Sequence, residues 1–302
     1  MATFSGYVAA DELYDGPFCI LSVVDNRRYK RILYDVLDHD PTHDDIRAFL
    51  RRLHTALSAR NLPLLGVTTD GSALSPVPLI EVFGDVPHQI CTFHIIAEVG
   101  KAVLGAVARA RQGLAAHQPK LRKGRPSTPA ATQAARTKKR LTEQRAALFS
   151  SRYLFVQRHL NTTARKTLWR VSRGFPQLQA LRAIMEQVYA VFDRRCRTHT
   201  ALAKLAKLQR HVQRFPALGD TLKKLFAPTL EKALTFLDDK LLPSTSNAVE
   251  RGNRRYRKRQ KQVYRVRTQG QIRARLALDM WREAQSVGRQ QTLISLHHAR
   301  AG

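Results

Sequence analysis

Three carboxylates far apart in the chain stand out by the company they keep. Glu250 closes the run Ser-Thr-Ser-Asn-Ala-Val-Glu and is followed by nine Lys or Arg within residues 251–267. On a helix it shares one face with Arg254, Arg257, Lys258 and Lys261. A lone acid at the head of a row of cations has two readings. One is a capping box, with Asn247 as N-cap and Glu250 three residues on, followed by a solvated basic face. The other is a metal-holding carboxylate beside a strip that binds phosphates. The remaining two acids, Asp11 and Asp70, each fall near the end of an expected strand.

The elements that must position them are legible in the first hundred residues. Tyr7 to Leu13 is a short apolar segment, and Phe18 to Val24 is a buried strand by its run of β-formers. Asp25-Asn26 signals a tight turn, and Tyr29 to Leu37 returns as a third antiparallel strand. Thr42 and Asp45 cap a helix with Ile46, Phe49, Leu50, Leu53 and Leu57 on one side. Leu64 to Thr69 is a fourth strand that delivers Asp70 and Gly71. Ser75-Pro76 starts a helix, and Val86 to Ile96 is a fifth strand running into another. The order is three antiparallel strands followed by a βαβ unit, an α/β mixed sheet of ribonuclease-H-like layout. The pattern then turns helical from Val99 to Leu242, with amphipathic stretches at Leu178–Phe192, Leu202–Phe215 and Pro228–Leu242. Within it, residues 117–139 lack large apolar side chains after Leu121 and are expected as a mobile basic loop. Gln269 to Ala284 is a last helix. The expected organisation is a catalytic core in 1–98 completed by 244–285, an all-α basic insertion over 99–243, and a tail over 286–302.

In a sheet of this order the first and fourth strands are neighbours, so Asp11 and Asp70 lie side by side and repel. Mg²⁺ or Mn²⁺ would offset that repulsion, being hard ions that take carboxylate oxygens. Two such ions roughly 3.5–4 Å apart would clamp the attacking and leaving oxygens of a phosphodiester. A third acid from a helix packed on the sheet completes the cage.

Charge is divided in the same way. The chain carries a net +29 with a pI near 11.1. Residues 1–98 hold 8 Lys and Arg against 13 Asp and Glu, so all of the excess, +34, lies beyond them. Nucleic acid is the polyanion such a surface fits. An anionic membrane fits less well, since no basic helix has a continuous Trp/Phe/Leu face. Three cysteines make no disulfide framework, no apolar run is long enough to span a bilayer, and no secretory signal is visible. These features point to a soluble, cytoplasmic, nucleoid-associated protein.

Residues 11–25, Thr-Thr-Asp-Gly-Ser (68–72), Cys-Thr-Phe-His (91–94) and Ser-Thr-Ser-Asn-Ala-Val-Glu-Arg (244–251) together resemble insertion-sequence transposases of the DDE class. The nearest are Mutator-like bacterial elements and others with Cys-x-x-His after the second Asp and a helical insertion before the Glu. The resemblance covers nearly the whole chain. It implies Asp11, Asp70 and Glu250 as catalytic triad and metal ligands, with Cys91 and His94 near the site. It also implies DNA ends and target DNA as substrates, and a homo-oligomer on DNA. Relatives carry a DNA-recognition module ahead of the first Asp, whereas ten residues precede Asp11 here. A separate recognition subunit, a domesticated binding-only remnant, and a plain metal-dependent nuclease are the alternatives this leaves.

Other candidates have plainer readings beside them. Asp25 could replace Asp11, but a turn explains it. The cluster Asp38 to Asp45 could hold metal, but helix capping accounts for it. Cys91-x-x-His94 with Cys196-x-x-His199 could bind zinc, although the pairs are far apart. Arg122 and Arg125 in Arg-Lys-Gly-Arg-Pro resemble an AT-hook core that enters a narrow minor groove, or form a generic basic loop. Trp169 and Trp281 are expected as core anchors rather than stacking platforms.

Overall fold

In the computed structural model, residues 4–121, 124, 126–214, 228–262 and 267–285 are described. Arg122 and Arg125, and the tail from residue 286, lie outside them. The chain is α/β and divides into two compact units, Met1–Cys91 with Asp239–Gly302, and Thr92–Asp238. The divisions fall at 91/92 and 238/239 rather than at the expected 98/99 and 243/244.

The first unit holds a five-stranded sheet: β1 (Tyr7–Asp15), β2 (Phe18–Asp25), β3 (Arg31–Leu37), β4 (Gly66–Thr69) and β5 (His88–Ile90). Its order is β3-β2-β1-β4-β5. The first three strands pair antiparallel, and β4 and β5 join parallel to β1 and to each other. Side chains alternate between the two faces. One face, with Val8, Leu21, Val23 and Val67, packs on α1 (His43–Ser58) through Ile46, Phe49, Leu50 and Leu53, and on α2 (Pro76–Phe83) through Leu79. Thr42 and Asp45 close the capping box expected for α1.

Asp25 has the plain role its turn suggests. Its carboxylate accepts from Ser5 N (2.9 Å), Ser5 Oγ (2.7 Å), Arg27 N (3.1 Å) and Arg28 N (2.9 Å). With its oxygens committed to the hairpin, Asp25 does not compete with Asp11 as the first acid.

The second unit is helical: α3 (Thr92–Ala116), α4 (Pro129–Ser150), α5 (Thr162–Ser172), α6 (Pro176–Val191) and α7 (Thr198–Gln213). Short 3₁₀ stretches cover Arg152–Phe155 and Pro228–Leu237, so an α-helix over Pro228–Leu242 does not form. The core of this unit is Leu148, Phe155, Leu181, Ile184, Met185, Val188 and Leu208. The loop expected over 117–139 is shorter, because α4 already begins at Pro129. Thr128 Oγ1 caps it by accepting from Ala131 N, proline takes the first turn, and Ala, Lys and Arg are good helix formers. The lack of large apolar residues marks an exposed helix there, of which only Leu148 is buried. Among the described residues no helix is long and apolar enough to cross a membrane.

Candidate active site

Two helices of the first unit, α8 (Asn247–Gln262) and α9 (Gln269–Gln285), cover the other face of the sheet. Ala248 and Val249 pack on Ala9 and Val24, while Tyr256 joins Leu13, Ile20, Val36, Ile272 and Leu276. Tyr256 donates its hydroxyl to Asp15 at 2.9 Å, and Gln260 Nε2 bonds the same carboxylate at 2.8 Å.

Asp11 belongs to this covered face, between Ala9 and Leu13 on β1. β1 and β4 run parallel with Ala9 opposite Thr68. Two residues on from each stand Asp11, in the middle of β1 rather than near its end, and Asp70, the first residue past β4. Thr68, on the covered face, bonds Pro243 O through its hydroxyl at 3.0 Å, and the charge of Asp70 is felt by Glu12, the neighbour of Asp11 on β1. Past β4 the chain turns at Gly71 (φ 95°), and Asp70 Oδ1 accepts from Ser72 N at 2.8 Å.

Buried polar contacts bring in the segment carrying Glu250. Asn26 Nδ2 donates to Thr68 Oγ1 (3.1 Å) and Thr245 O (3.2 Å). Ser246 N donates to Cys91 Sγ (3.4 Å), fastening the start of α8 to the end of β5. Cys91, expected near the site, thus works as a structural clasp. His94 falls in the second unit.

The helix starts one residue away from the expected place. Glu250 N bonds Ser246 O (3.1 Å), the first intrahelical bond, which puts the cap at Ser246 and Asn247 inside the helix. Glu250 is then the fourth helical residue instead of the third. The capping-box geometry that would have explained it is not the one formed.

Turning about 100° per residue, α8 presents two basic flanks. Gly252, Arg255 and Arg259 face β3 and α9: a side chain at Gly252 would meet Arg31 Nη2 at 2.8 Å, Arg255 pairs with Glu283 (2.6 Å), and Arg259 pairs with Asp279. The opposite flank, Glu250, Arg254, Arg257 and Lys261, therefore lies on the side of β4, which ends at Thr69. Lys258 points outward. Arg254, Arg257, Lys258 and Lys261 are exposed and make no ion pair among the described residues.

Asn253 is a contact that sequence reasoning missed. It is 3% exposed, and its Nδ2 donates to Asp11 Oδ2 at 2.6 Å. A donor held in a buried setting fixes the rotamer of the carboxylate it meets. Its one available signal was position, i+3 from Glu250, hence the same side of the helix one turn on. Asn253 Oδ1 is buried without a hydrogen-bond partner, and so is the hydroxyl of Ser22, which stands opposite Asp11 on β2.

Glu12 is the other omission. Burial and, second, the charge of Asp70 push its carboxyl up to about 7, against a hydrogen bond from Ser72 that pulls it down. The cavity beside Asp11 and Glu12 is about 20 Å³, room for a water and far below a small-molecule pocket. Among the described residues, no three His, Cys, Asp or Glu side chains are placed as a metal-holding group. Cys196, set aside above as a zinc ligand, accepts from Lys204 Nζ at 2.8 Å.

No family model, curated protein or solved structure matches the chain.

Proposed function

We propose that this chain is a DDE-class transposase with a ribonuclease-H-like core, which cuts and joins DNA by metal-dependent phosphoryl transfer. The observation that supports this reading is the parallel pairing of β4 on β1, which sets Ala9 opposite Thr68, two residues short of Asp11 and Asp70, on a sheet whose other face is covered by the helix that bears Glu250. Like charges set side by side on a covered sheet face need a partner. The donors present fit a hard divalent ion: two carboxylates, with the orphaned oxygens of Asn253 and Ser22 beside one of them. Asp11, Asp70 and Glu250 would hold Mg²⁺ or Mn²⁺, two ions in the complete site, which supplies charge stabilisation at the attacking and leaving oxygens.

The protein's own groups do the rest. Asn253 orients Asp11 through its hydrogen bond to Oδ2. Glu250, one turn before Asn253, would be the third carboxylate to hold the metal. Arg254, Arg257, Lys258 and Lys261 hold the DNA backbone along the flank that leads to Asp70. Joining two ends calls for at least two copies, with recognition of the ends supplied by a separate subunit or by the basic second unit.

A binding-only remnant draws on one observation, the absence of a preformed three-acid group among the described residues. The assay separates the readings: protein, Mg²⁺ and DNA carrying the ends of the element. Joined products identify a transposase, nicks alone a nuclease, and salt-sensitive binding alone a remnant. Asp70→Asn should abolish cutting and spare binding. Normal cutting by that variant would remove Asp70 from the site.

A further inference from the structure

The second unit has its own surface for a polyanion. Residues 144–185 carry eight Lys and Arg and no Asp or Glu. In their midst Trp169 is 60% exposed on α5, contrary to the core role expected of it. Leu168, Val171 and Ser172 supply the buried side of α5, which leaves the indole on the solvent side. Exposing so large an apolar ring forfeits burial that a Trp normally gains. Trp169 also lines a cleft of about 440 Å³ with Leu160, Arg165, Leu168 and Arg182. The cleft's carboxylate, Glu186, is neutralised by Arg182 at 2.9 Å. Arg173 sits over the indole at 5.2 Å, and Arg165 and Arg170 are exposed on the same helix.

An exposed ring flanked by cations, over a cleft with apolar walls, matches one ligand chemistry: a flat aromatic group attached to phosphates. We propose that Trp169 is a stacking platform for an unpaired nucleobase of single-stranded DNA, with Arg165 and Arg173 on the adjoining phosphates. An acidic peptide would meet the charge and leave the indole idle. A duplex would meet the phosphates, but its bases are stacked on each other. Base–aromatic stacking is tolerant of sequence, so the site grips unpaired strand and does not read it. The inference rests on DNA as partner but needs neither the three acids nor a metal.

The test uses the full chain with Trp281→Phe, which leaves Trp169 as the single indole; Trp281 is itself 62% exposed, so the change is mild. Without divalent metal, a short oligothymidine should quench Trp169 fluorescence, and an abasic oligonucleotide of equal charge should not. Trp169→Ala, in the natural background, should weaken single-strand binding about 5- to 100-fold. Trp169→Phe should recover most of that loss. The salt dependence of the Ala variant should keep the original slope, because stacking releases no counterions. Equal quenching by both oligonucleotides, or unchanged affinity in Trp169→Ala, overturns the proposal. Binding of DNA without cutting leaves it standing while the transposase reading falls. No binding of any nucleic acid removes both.

Discussion

Replacing Asn253 by Asp tests the contact that joins α8 to β1 at the acids. The amide nitrogen donates to Asp11 Oδ2 at 2.6 Å in a buried setting. Hydrogen bonds to a charged group contribute about 1.5–3 kcal/mol. Asn253→Asp removes that bond and sets a second carboxylate against the first. Two unit charges about 4 Å apart repel by ~4 kcal/mol at an effective dielectric near 20. At pH 8 without divalent metal, the variant should therefore lose about 5.5–7 kcal/mol of stability, read by urea denaturation. Two such carboxylates share a proton on acidification, so the pair's folded pKa is raised. The stabilisation from that proton is present at low pH and lost as pH climbs through the raised value, so the defect should shrink toward pH 4.5. Asn253→Ala gives the contrast: it loses the bond but also removes the orphaned Oδ1, itself a cost of about 1–3 kcal/mol, so it should lie within about 1 kcal/mol of the natural chain. Swapping the pair, Asp11→Asn with Asn253→Asp, should restore stability and not activity. The reasoning fails if Asn253→Asp matches the natural chain at pH 8, since no bond of this geometry could then exist.

Three further outcomes follow from local contacts. Asp25→Ala strips four hydrogen bonds from the β2–β3 turn and should cost about 2–4 kcal/mol by denaturation; a loss below about 0.5 kcal/mol would count against those bonds. His39, bonded to Asp38 at 3.0 Å and Asp45 at 3.2 Å, has its pKa raised by those two carboxylates. Its NMR midpoint should lie above 6.5 and drop in Asp45→Asn; the stability it adds is complete below the ordinary value and disappears as pH rises through the raised one. Gly252→Ala should gain about 1 kcal/mol of helix propensity, yet its Cβ would meet Arg31 Nη2 at 2.8 Å, where Arg31 is 8% exposed. The gain should therefore appear only in an Arg31→Ala background, and an additive double-mutant cycle would rule the contact out.

Much of the first unit was readable because its information is local. Alternating apolar residues marked the strands, Thr42 and Asp45 marked the first helix, and parallel pairing of β4 on β1 follows from a βαβ unit beside an antiparallel meander. The same local signals failed where two states share one composition. Ala- and Lys-rich residues after Pro129 suit a loop as well as an exposed helix, and the apolar stretch at Pro228–Leu237 suits a helix of either pitch.

By itself, then, the sequence determined the sheet order, the place of Asp11 on the first strand and of Asp70 just past the fourth, and the concentration of positive charge beyond residue 98. Tertiary structure alone decided that Asn253 grips an acid 242 positions away, that α8 begins at Asn247 and so takes Glu250 out of the capping-box position, and that Trp169 faces outward. Periodicity records which side of an element is apolar, since that depends on neighbours three or four residues off. Which partner meets that side, and which polar atom lies beneath it, depends on how distant elements pack.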